Sequence, residues 1–330
     1  MNGDWRSSVV ALGVMLLAAP ALAQSKAPAK SSPPRPPAAP SAAAPADSGN
    51  VDVAFGAYQR GFYLTALAEA TKRAQQNDPA AMTLLGELYA QGLGVGRDDS
   101  KAAQWYKQAA ALGDRDAMFA LAMFAFEGRA GVRNPDEAAR LLDGAAKLGH
   151  PAASYDLGLL YLQGQQFPQD FQRAAELFRA AAQAGNPEAQ YALATMYKEG
   201  RGVAKDVSQA MRLMGQASVA GNVDAMVEFA IAQFNGEGIA KDEAAAARLF
   251  LIAARRGSAI AQNRLARILM AGRGMPADPA EAVKWHIVAK AGGASDPDLD
   301  VFAGQQKPEV RDTAQKAAAK WLSTQAALRP

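Results

Sequence analysis

Residues 78–113 read DPAAMTLLGELYAQGLGVGRDDSKAAQWYKQAAALG, and this 36-residue pattern recurs without a break as far as residue 293. A glycine closes every copy, and a second glycine lies inside every copy at the same constant spacing. The closing column is Gly113, Gly149, Gly185, Gly221, Gly257 and Gly293, and the inner column is Gly92, Gly128, Gly164, Gly200, Gly236 and Gly272. A fixed period of this length predicts a repeat architecture in which each unit buries its apolar face against its neighbours.

The first half of each copy predicts a helix, which we call helix A. In the first copy Asp78 is a capping residue and Pro79 follows it, the usual arrangement at a helix start. Ala81 and Leu85 lie four residues apart and therefore share one helical face, which we expect to be core. Gly92 ends the helix, because glycine adopts the left-handed conformation at little cost.

The second half of each copy predicts a helix B. It opens on a capping residue, Asp98 in the first copy, and carries two columns that are alanine in every copy, represented by Ala102 and Ala109. A large apolar column that begins with Trp105 lies between them. Small residues beside large ones let helices approach closely, so each copy is expected to be an antiparallel helix pair.

These residues resemble the Sel-one-like repeat family, relatives of the tetratricopeptide repeats. The family motif is Ala-x-x-x-Leu-Gly-x-x-Tyr-x-x-Gly-x-Gly-Val, then Asp-x-x-x-Ala-x-x-Trp, then Ala-Ala and a closing Gly. The first copy carries it as Ala81, Leu85, Gly86, Tyr89, Gly92, Gly94, Val95, Asp98, Ala102, Trp105, Ala109, Ala110 and Gly113. Two copies depart from it in the loop, with Ala130 in place of the second loop glycine and with Gln165, Gln166 and Phe167. The resemblance implies an all-α fold, a right-handed superhelical solenoid of six antiparallel helix pairs plus caps.

The first 23 residues predict an export signal. Arg6 precedes an apolar run from Val9 to Ala19, and a small-x-small triplet ends at Ala23, where we expect cleavage. The apolar run is shorter than the roughly 18 to 20 residues that span a bilayer, which disfavours an uncleaved anchor. We therefore predict a periplasmic or secreted protein with no membrane span in the mature chain.

The remaining domain boundaries follow from composition and from the decay of the repeat. Residues 24–50 are rich in Pro and Ala and predict a disordered linker, either a plain tether or a spacer that contacts the cell wall. Residues 51–77 resemble a half-repeat that caps the array, residues 78–293 hold the six repeats, and residues 294–330 predict capping helices. The last helix, Pro308 to Leu328, has an apolar stripe of Val310, Ala314, Ala317 or Ala318, and Trp321.

Composition excludes several functions. The 35 basic and 32 acidic residues leave a net charge of only +3, without the basic excess that binds nucleic acid. Cysteine is absent, which removes disulfides, thiolate nucleophiles and cysteine metal sites.

No catalytic constellation is visible. The two histidines have structural explanations, since His150 lies in the cap column of helix A and His286 in a large core column of helix B. The two Gly-Arg-Gly tripeptides, residues 200–202 and 272–274, resemble phosphate-loop fragments but recur as the turn between helices. We therefore predict no enzyme activity, no metal and no cofactor.

The informative surface is the helix A face beside the core, which we call the A face and which is usually concave in solenoids. Its middle copies carry carboxylates with apolar residues between them, and arginines occur only in the last copy. The candidate partner-binding residues are Asp116, Glu127, Asp156, Glu188, Glu199, Asp224, Glu228, Arg264 and Arg267. Such a stripe suits a peptide or protein segment with basic and apolar side chains, although ordinary solvated helix residues would look the same. Reversing Asp156 and Glu228 to lysine is expected to weaken partner capture.

We predict a non-catalytic protein-binding scaffold, adaptor or regulator of the bacterial periplasm, with a partner such as an envelope sensor or assembly factor. The resemblance supports this, because exported members of the family include a periplasmic repressor of exopolysaccharide production that restrains a sensor kinase. One alternative is a hydrolase of the beta-lactamase-like kind, as linked to cysteine-rich relatives, but this chain lacks the cysteines and a Ser-x-x-Lys in a catalytic context. Another alternative is a structural component of envelope assembly.

Overall fold

The computed structural model describes residues 52–327, so the predicted signal peptide and linker lie outside the described residues. Within 52–327 all regular structure is helical, with sixteen helices and no strand. None of these helices is both long enough and apolar enough to cross a membrane. The chain divides into two compact units, Met1–Asn134 and Pro135–Pro330, which we call unit 1 and unit 2.

Unit 1 contains five described helices, in which neighbours in sequence pack on one another. They are α1 (Val53–Gln59), α2 (Tyr63–Ala74), α3 (Pro79–Gln91), α4 (Asp99–Ala111) and α5 (Arg115–Glu127).

Unit 2 contains eleven described helices. They are α6 (Pro135–Lys147), α7 (Pro151–Gln163), α8 (Phe171–Gln183), α9 (Pro187–Glu199), α10 (Val207–Val219), α11 (Val223–Asn235), α12 (Glu243–Arg255), α13 (Ala259–Ala271), α14 (Pro279–Ala291), α15 (Pro297–Gln305) and α16 (Pro308–Ala327). The odd-numbered helices from α3 to α13 are the predicted A helices, and the even-numbered helices from α4 to α14 are the B helices. Each has 13 residues, and the all-α class built from repeated helix pairs is confirmed.

The predicted caps start and stop the A helices. Asp78 accepts hydrogen bonds from the backbone N–H groups of Ala80 and Ala81 at 3.0 and 3.3 Å, and Asn222 accepts one from Ala225 at 2.8 Å. These bonds satisfy donors that the first turn of a helix leaves unpaired. At the other end the inner glycine column is left-handed, with φ between 67° and 79° in all six copies.

The core is built from alanine columns that lie on either side of one column of larger side chains. The two all-alanine columns of the B helices are completely buried in every copy. The deepest large column is not the one that begins at Trp105 but the next residue along, since it is at most 2% exposed in every copy. Its members are Tyr106, Leu142, Phe178, Met214, Phe250 and His286. The seam between helices A and B is therefore one residue later than the sequence pattern indicates.

In four copies a second loop glycine, at Gly94, Gly202, Gly238 and Gly274, lets the A–B loop touch the helix of the preceding pair. A Cβ at Gly202 would lie 2.1 Å from the carbonyl oxygen of Phe171, and one at Gly274 would lie 2.2 Å from that of Glu243. Both distances are far below van der Waals contact, so only glycine fits. Ala130 departs from this column yet keeps its conformation, with φ at 58°.

The C-terminal helices extend the core of unit 2. Helix α16 packs on α14, and the ring centroids of Trp321 and Trp285 are 5.1 Å apart. The predicted stripe of α16 is confirmed, since Ala314 and Ala318 are buried and Trp321 is half-buried. Sequence reasoning did not place α15, although Asp296 followed by Pro297 repeats the start signal of the A helices.

Candidate functional site

The A face of unit 2 is formed by four A helices, α7, α9, α11 and α13. Helical spacing of four, three and four residues places its members on one side of each helix. The polar members are Asp156 on α7, Glu188 and Glu199 on α9, Asp224 and Glu228 on α11, and Arg264 and Arg267 on α13. Leu159, Ala192, Thr195 and Ile231 lie among them and are buried or half-buried.

Asp156 and Glu188 form a pair of like charges on adjacent A helices. Within residues 52–327 neither carboxylate has a hydrogen-bond or ion-pair partner. Asp156 is half-buried and Glu188 is exposed. Burial first, and then the negative charge of Glu188, raise the pKa of Asp156 to about 7. A carboxylate in this condition is stabilised by any cation that approaches it, because the cation removes the repulsion and replaces lost hydration.

The carboxylate of Glu228 is already occupied. Its Oε1 accepts a hydrogen bond from the Tyr191 hydroxyl at 2.8 Å, and its Oε2 lies 2.9 Å from Lys198 Nζ. These contacts tie α9 to α11. Asp224, one turn earlier, lacks such a partner among the described residues, and partial burial and the charge of Glu228 raise its pKa. The acidic side chains of this face in α7, α9 and α11 that are open to a cation of a partner are therefore Asp156, Glu188 and Asp224.

Arg267 is likewise engaged inside the protein. Its guanidinium binds the buried Asp296 through two hydrogen bonds of 2.6 and 2.7 Å and reaches Asp298 at 3.0 Å. Burial disfavours the charge of Asp296, but hydrogen bonds from Arg267 and Asn263 outweigh it and hold the pKa at about 2. Since Asp296 also caps α15, Arg267 positions that helix.

The other candidate residues have arginine neighbours. Glu199 lies 3.5 Å from Arg201 in unit 2. In unit 1, Asp116 lies 3.7 Å from the adjacent Arg115, and Glu127 lies 3.9 Å from Arg129. The positive charge of the neighbouring arginine partly neutralises each of these three carboxylates.

Arg264 differs from the other cations of the A face. It is exposed on α13 and, within the described part of the chain, no acidic side chain binds it. It lines an open cavity of about 310 Å³ between α11 and α13, together with Ile231, Phe234, Ile268 and Met270. Sequence reasoning selected Arg264 but missed the cavity, because Phe234 and Met270 belong to other columns than the A face.

The two histidines have the structural roles that the sequence indicates. His150 caps α7, with Nδ1 accepting a hydrogen bond from the Ala153 N–H at 3.0 Å. His286 is 2% exposed, and its Nε2 lies 2.8 Å from Asp300. Among residues 52–327 no three His, Asp or Glu side chains converge as metal ligands would.

Both Gly-Arg-Gly segments are turns, as predicted, and their arginines stack on aromatic rings. The guanidinium of Arg201 lies 4.5 Å from the ring centroid of Phe171, and that of Arg273 lies 4.5 Å from that of Phe234. Arg273 also forms an ion pair with Glu243. These arginines therefore connect consecutive helix pairs.

Comparison with protein families agrees with this architecture. Six consecutive segments match the model of the Sel1 repeat: residues 79–114, 115–150, 151–186, 187–222, 223–258 and 259–293. The chain belongs to the Sel1 repeat family. The resemblance inferred from the motif is thereby confirmed, and the family boundaries coincide with those read from the glycine columns to within one residue. Sel1 repeat proteins are generally scaffolds for protein–protein interaction.

Two solved structures illustrate the fold of this Sel1 repeat protein. A Sel1 repeat protein from Oxalobacter formigenes is 27% identical, with a TM-score of 0.63 over 73% of this chain and 97% of that one. A protective antigen present in uropathogenic Escherichia coli strains, which displays an SLR fold, is 24% identical, with a TM-score of 0.55 over 81% of this chain and 68% of that one. The second likeness shows the fold alone. No curated protein is significantly similar to the chain.

Proposed function

We propose that this Sel1 repeat protein is an exported, non-catalytic adaptor whose A face in unit 2 captures a segment of a partner protein. The segment carries basic side chains for the acidic helices α7, α9 and α11, and apolar side chains for the residues between them. The signal-like first 23 residues support a periplasmic or secreted location. An envelope sensor or assembly factor is the class of partner that fits such a location.

The observation that carries this proposal is the unneutralised pair of Asp156 and Glu188. Exposed carboxylates on a solvated helix normally remain far apart or bind a neighbouring lysine or arginine, as Glu199 and Glu228 do here. Asp156 and Glu188 instead have no such partner among residues 52–327, and burial, followed by the charge of Glu188, raises the pKa of Asp156 to about 7. A lysine or arginine of a partner would relieve the repulsion between the two carboxylates, so binding energy is available at this position.

The test is a selection of short random peptides, displayed on phage, against the purified chain without residues 1–23. We expect enriched peptides to combine basic and apolar residues. The double variant Asp156→Lys, Glu188→Lys should lose the preference for basic residues and bind the selected peptides at least about tenfold more weakly, because two attractive contacts become repulsive. Glu188 is a cleaner second position than Glu228, since Glu228→Lys would also break the contacts with Tyr191 and Lys198.

A matched control separates this site from general charge. Asp136 and Glu309 are exposed on α6 and α16, and within residues 52–327 no basic side chain pairs with either, so their double change to lysine alters the net charge equally without touching the A face. The control variant should bind within about twofold of the parent chain. Equal losses in both double variants, or no enrichment of any peptide, would reject the A face as the binding surface.

The pH dependence of binding gives a second readout. The pKa of Asp156 is about 7 in the folded chain and about 3.9 in an unfolded one, so the free energy of unfolding of the free protein falls as the pH rises from about 4 to about 7, where the unfolded chain has lost this proton and the folded chain still holds it. A bound cation favours the ionised form, and binding of a basic peptide should therefore strengthen as the pH rises from 6 to 8. The expected gain is up to about tenfold, and it should vanish in Asp156→Asn.

A further inference from the structure

An open groove with apolar walls lies between α11 and α13, at the end of the A face away from Asp156. Ile231 and Phe234 of α11 form one wall, Ile268 and Met270 of α13 form the other, and Phe250 of α12 lies at its base. Its volume of about 310 Å³ is at the lower limit of ligand cavities, and it opens to solvent. A groove of this size accepts a large apolar side chain.

Three guanidinium groups surround the groove, and two of them are neutralised. Arg267 is bound by Asp296 and Asp298, and Arg273 is bound by Glu243 and stacked on Phe234. Arg264 is the exception, since within residues 52–327 no carboxylate pairs with it. The groove therefore presents one uncompensated positive charge at its edge.

A second hollow begins on the other side of Arg264. It also measures about 310 Å³ and is bounded by α13 and the segment that leads into α15. Ile260, which is 58% exposed, and Pro297 supply its apolar surface, and Arg264 and Arg267 line it as well. Arg264 thus stands between two concavities that each have apolar walls.

We propose that this end of the A face binds an extended partner segment in which an acidic side chain lies between two large apolar side chains. The carboxylate forms a bidentate pair with Arg264, one apolar side chain enters the groove beside Phe234, and the other covers Ile260. Charge complementarity selects this occupant, because among the described residues that line the two cavities the one unpaired charge is positive. The proposal rests on the proposed function, and it gives the partner an acidic end in addition to the basic part bound by α7 and α9.

The same phage-displayed library tests this inference on its own. Peptides enriched on the parent chain should contain an aspartate or glutamate flanked by large apolar residues. A selection on Arg264→Glu should enrich no such peptides. This variant should also bind the peptides selected on the parent chain at least about tenfold more weakly. Ala271→Trp, which fills the groove without changing charge, should remove the apolar preference next to the acid.

Arg248→Glu is the matched control. Arg248 is exposed on α12, outside both cavities, so this change should leave affinity within about twofold. Circular dichroism of each variant excludes unfolding as the cause of a loss.

The outcomes distinguish the two proposals. Basic and apolar peptides that depend on Asp156 and Glu188 but lack an acidic residue would overturn this inference and leave the proposed function standing. Acidic peptides that bind Ala271→Trp and the parent chain with equal affinity would also overturn it, since their binding would depend on the charge of Arg264 and not on the groove. Loss of acidic peptides from Arg264→Glu alone, with basic ones retained, would support it.

Discussion

At the scale of single residues, two departures from the repeat pattern keep the geometry of their positions. Ala130 adopts a φ of 58° where most copies use glycine, at a cost of about 1 kcal/mol, and the turn persists. His150 replaces an oxygen acceptor with an imidazole nitrogen and still caps α7. At these two positions the local geometry persists although the residue type differs from that of the other copies.

The cap function of His150 can be measured. His150→Ala removes the acceptor of the Ala153 N–H and should lower the free energy of unfolding by about 1 kcal/mol. His150→Asn restores an acceptor, as Asn186 and Asn222 provide in other copies, and should be within about 0.5 kcal/mol of the parent. Urea denaturation at neutral pH gives both values. Equal stability of the alanine and asparagine variants would mean that the imidazole does not act as a cap.

At the scale of elements, helices A and B of one copy approach closely where a glycine faces an aromatic ring. A Cβ at Gly158 would lie 2.6 Å from the ring of Phe178, and one at Gly86 would lie 2.4 Å from that of Tyr106. Phe178 is fully buried, so its ring has no free space to move into. The other four copies have alanine at the glycine position, including the copy with Phe250, so this glycine-to-ring contact is confined to the copies with Tyr106 and Phe178.

Gly158→Ala should therefore destabilise unit 2 although alanine is the better helix former. Overpacking costs about 1–3 kcal/mol, and the gain in helix propensity of about 1 kcal/mol offsets part of it. In a Phe178→Leu background the same change should be neutral or stabilising, because the ring that it meets is gone. Gly304→Ala on α15 is the control, since a Cβ there meets no atom within 4 Å, and it should be stabilising. A loss from Gly158→Ala that persists beside Leu at 178 would argue against this contact.

At the scale of the whole molecule, the structure consists of neighbour contacts repeated along the chain within each unit. In unit 2 one continuous apolar core runs from Met226 on α11 to Ala318 on α16. Stability in such an array is a sum of local terms and nearest-neighbour terms, so a defect at one end should weaken first the helices next to it.

Trp321→Ala tests this directly. Trp321 is half-buried against Trp285, and its loss should cost about 2 kcal/mol. Hydrogen exchange measured by mass spectrometry should show the greatest loss of protection in α14, with progressively less toward α7. Val219→Ala, at a side chain that is 92% exposed, should change nothing. A uniform loss throughout unit 2 would instead indicate a single cooperative unit.

The sequence by itself determined the repeated helix pairs, since the caps and glycines that begin and end each helix act within a few residues of one another. Asp78 needs only Ala80 and Ala81 to cap α3, and Gly92 needs only its own left-handed φ to end it. Periodicity then places the alanine columns in the core without further information. These are short-range effects, and each of them recurs in six copies of the repeat.

Only the tertiary structure decided which candidate side chains are available to a partner. Glu228 and Arg267 look like Asp156 and Arg264 in sequence, but contacts with Tyr191 and Lys198 and with Asp296 occupy them. Those contacts span about 29 to 37 positions along the chain, and helical periodicity carries no information on which side chain a neighbouring helix presents. The groove beside Arg264 has the same origin, because its two walls come from helices one full repeat apart.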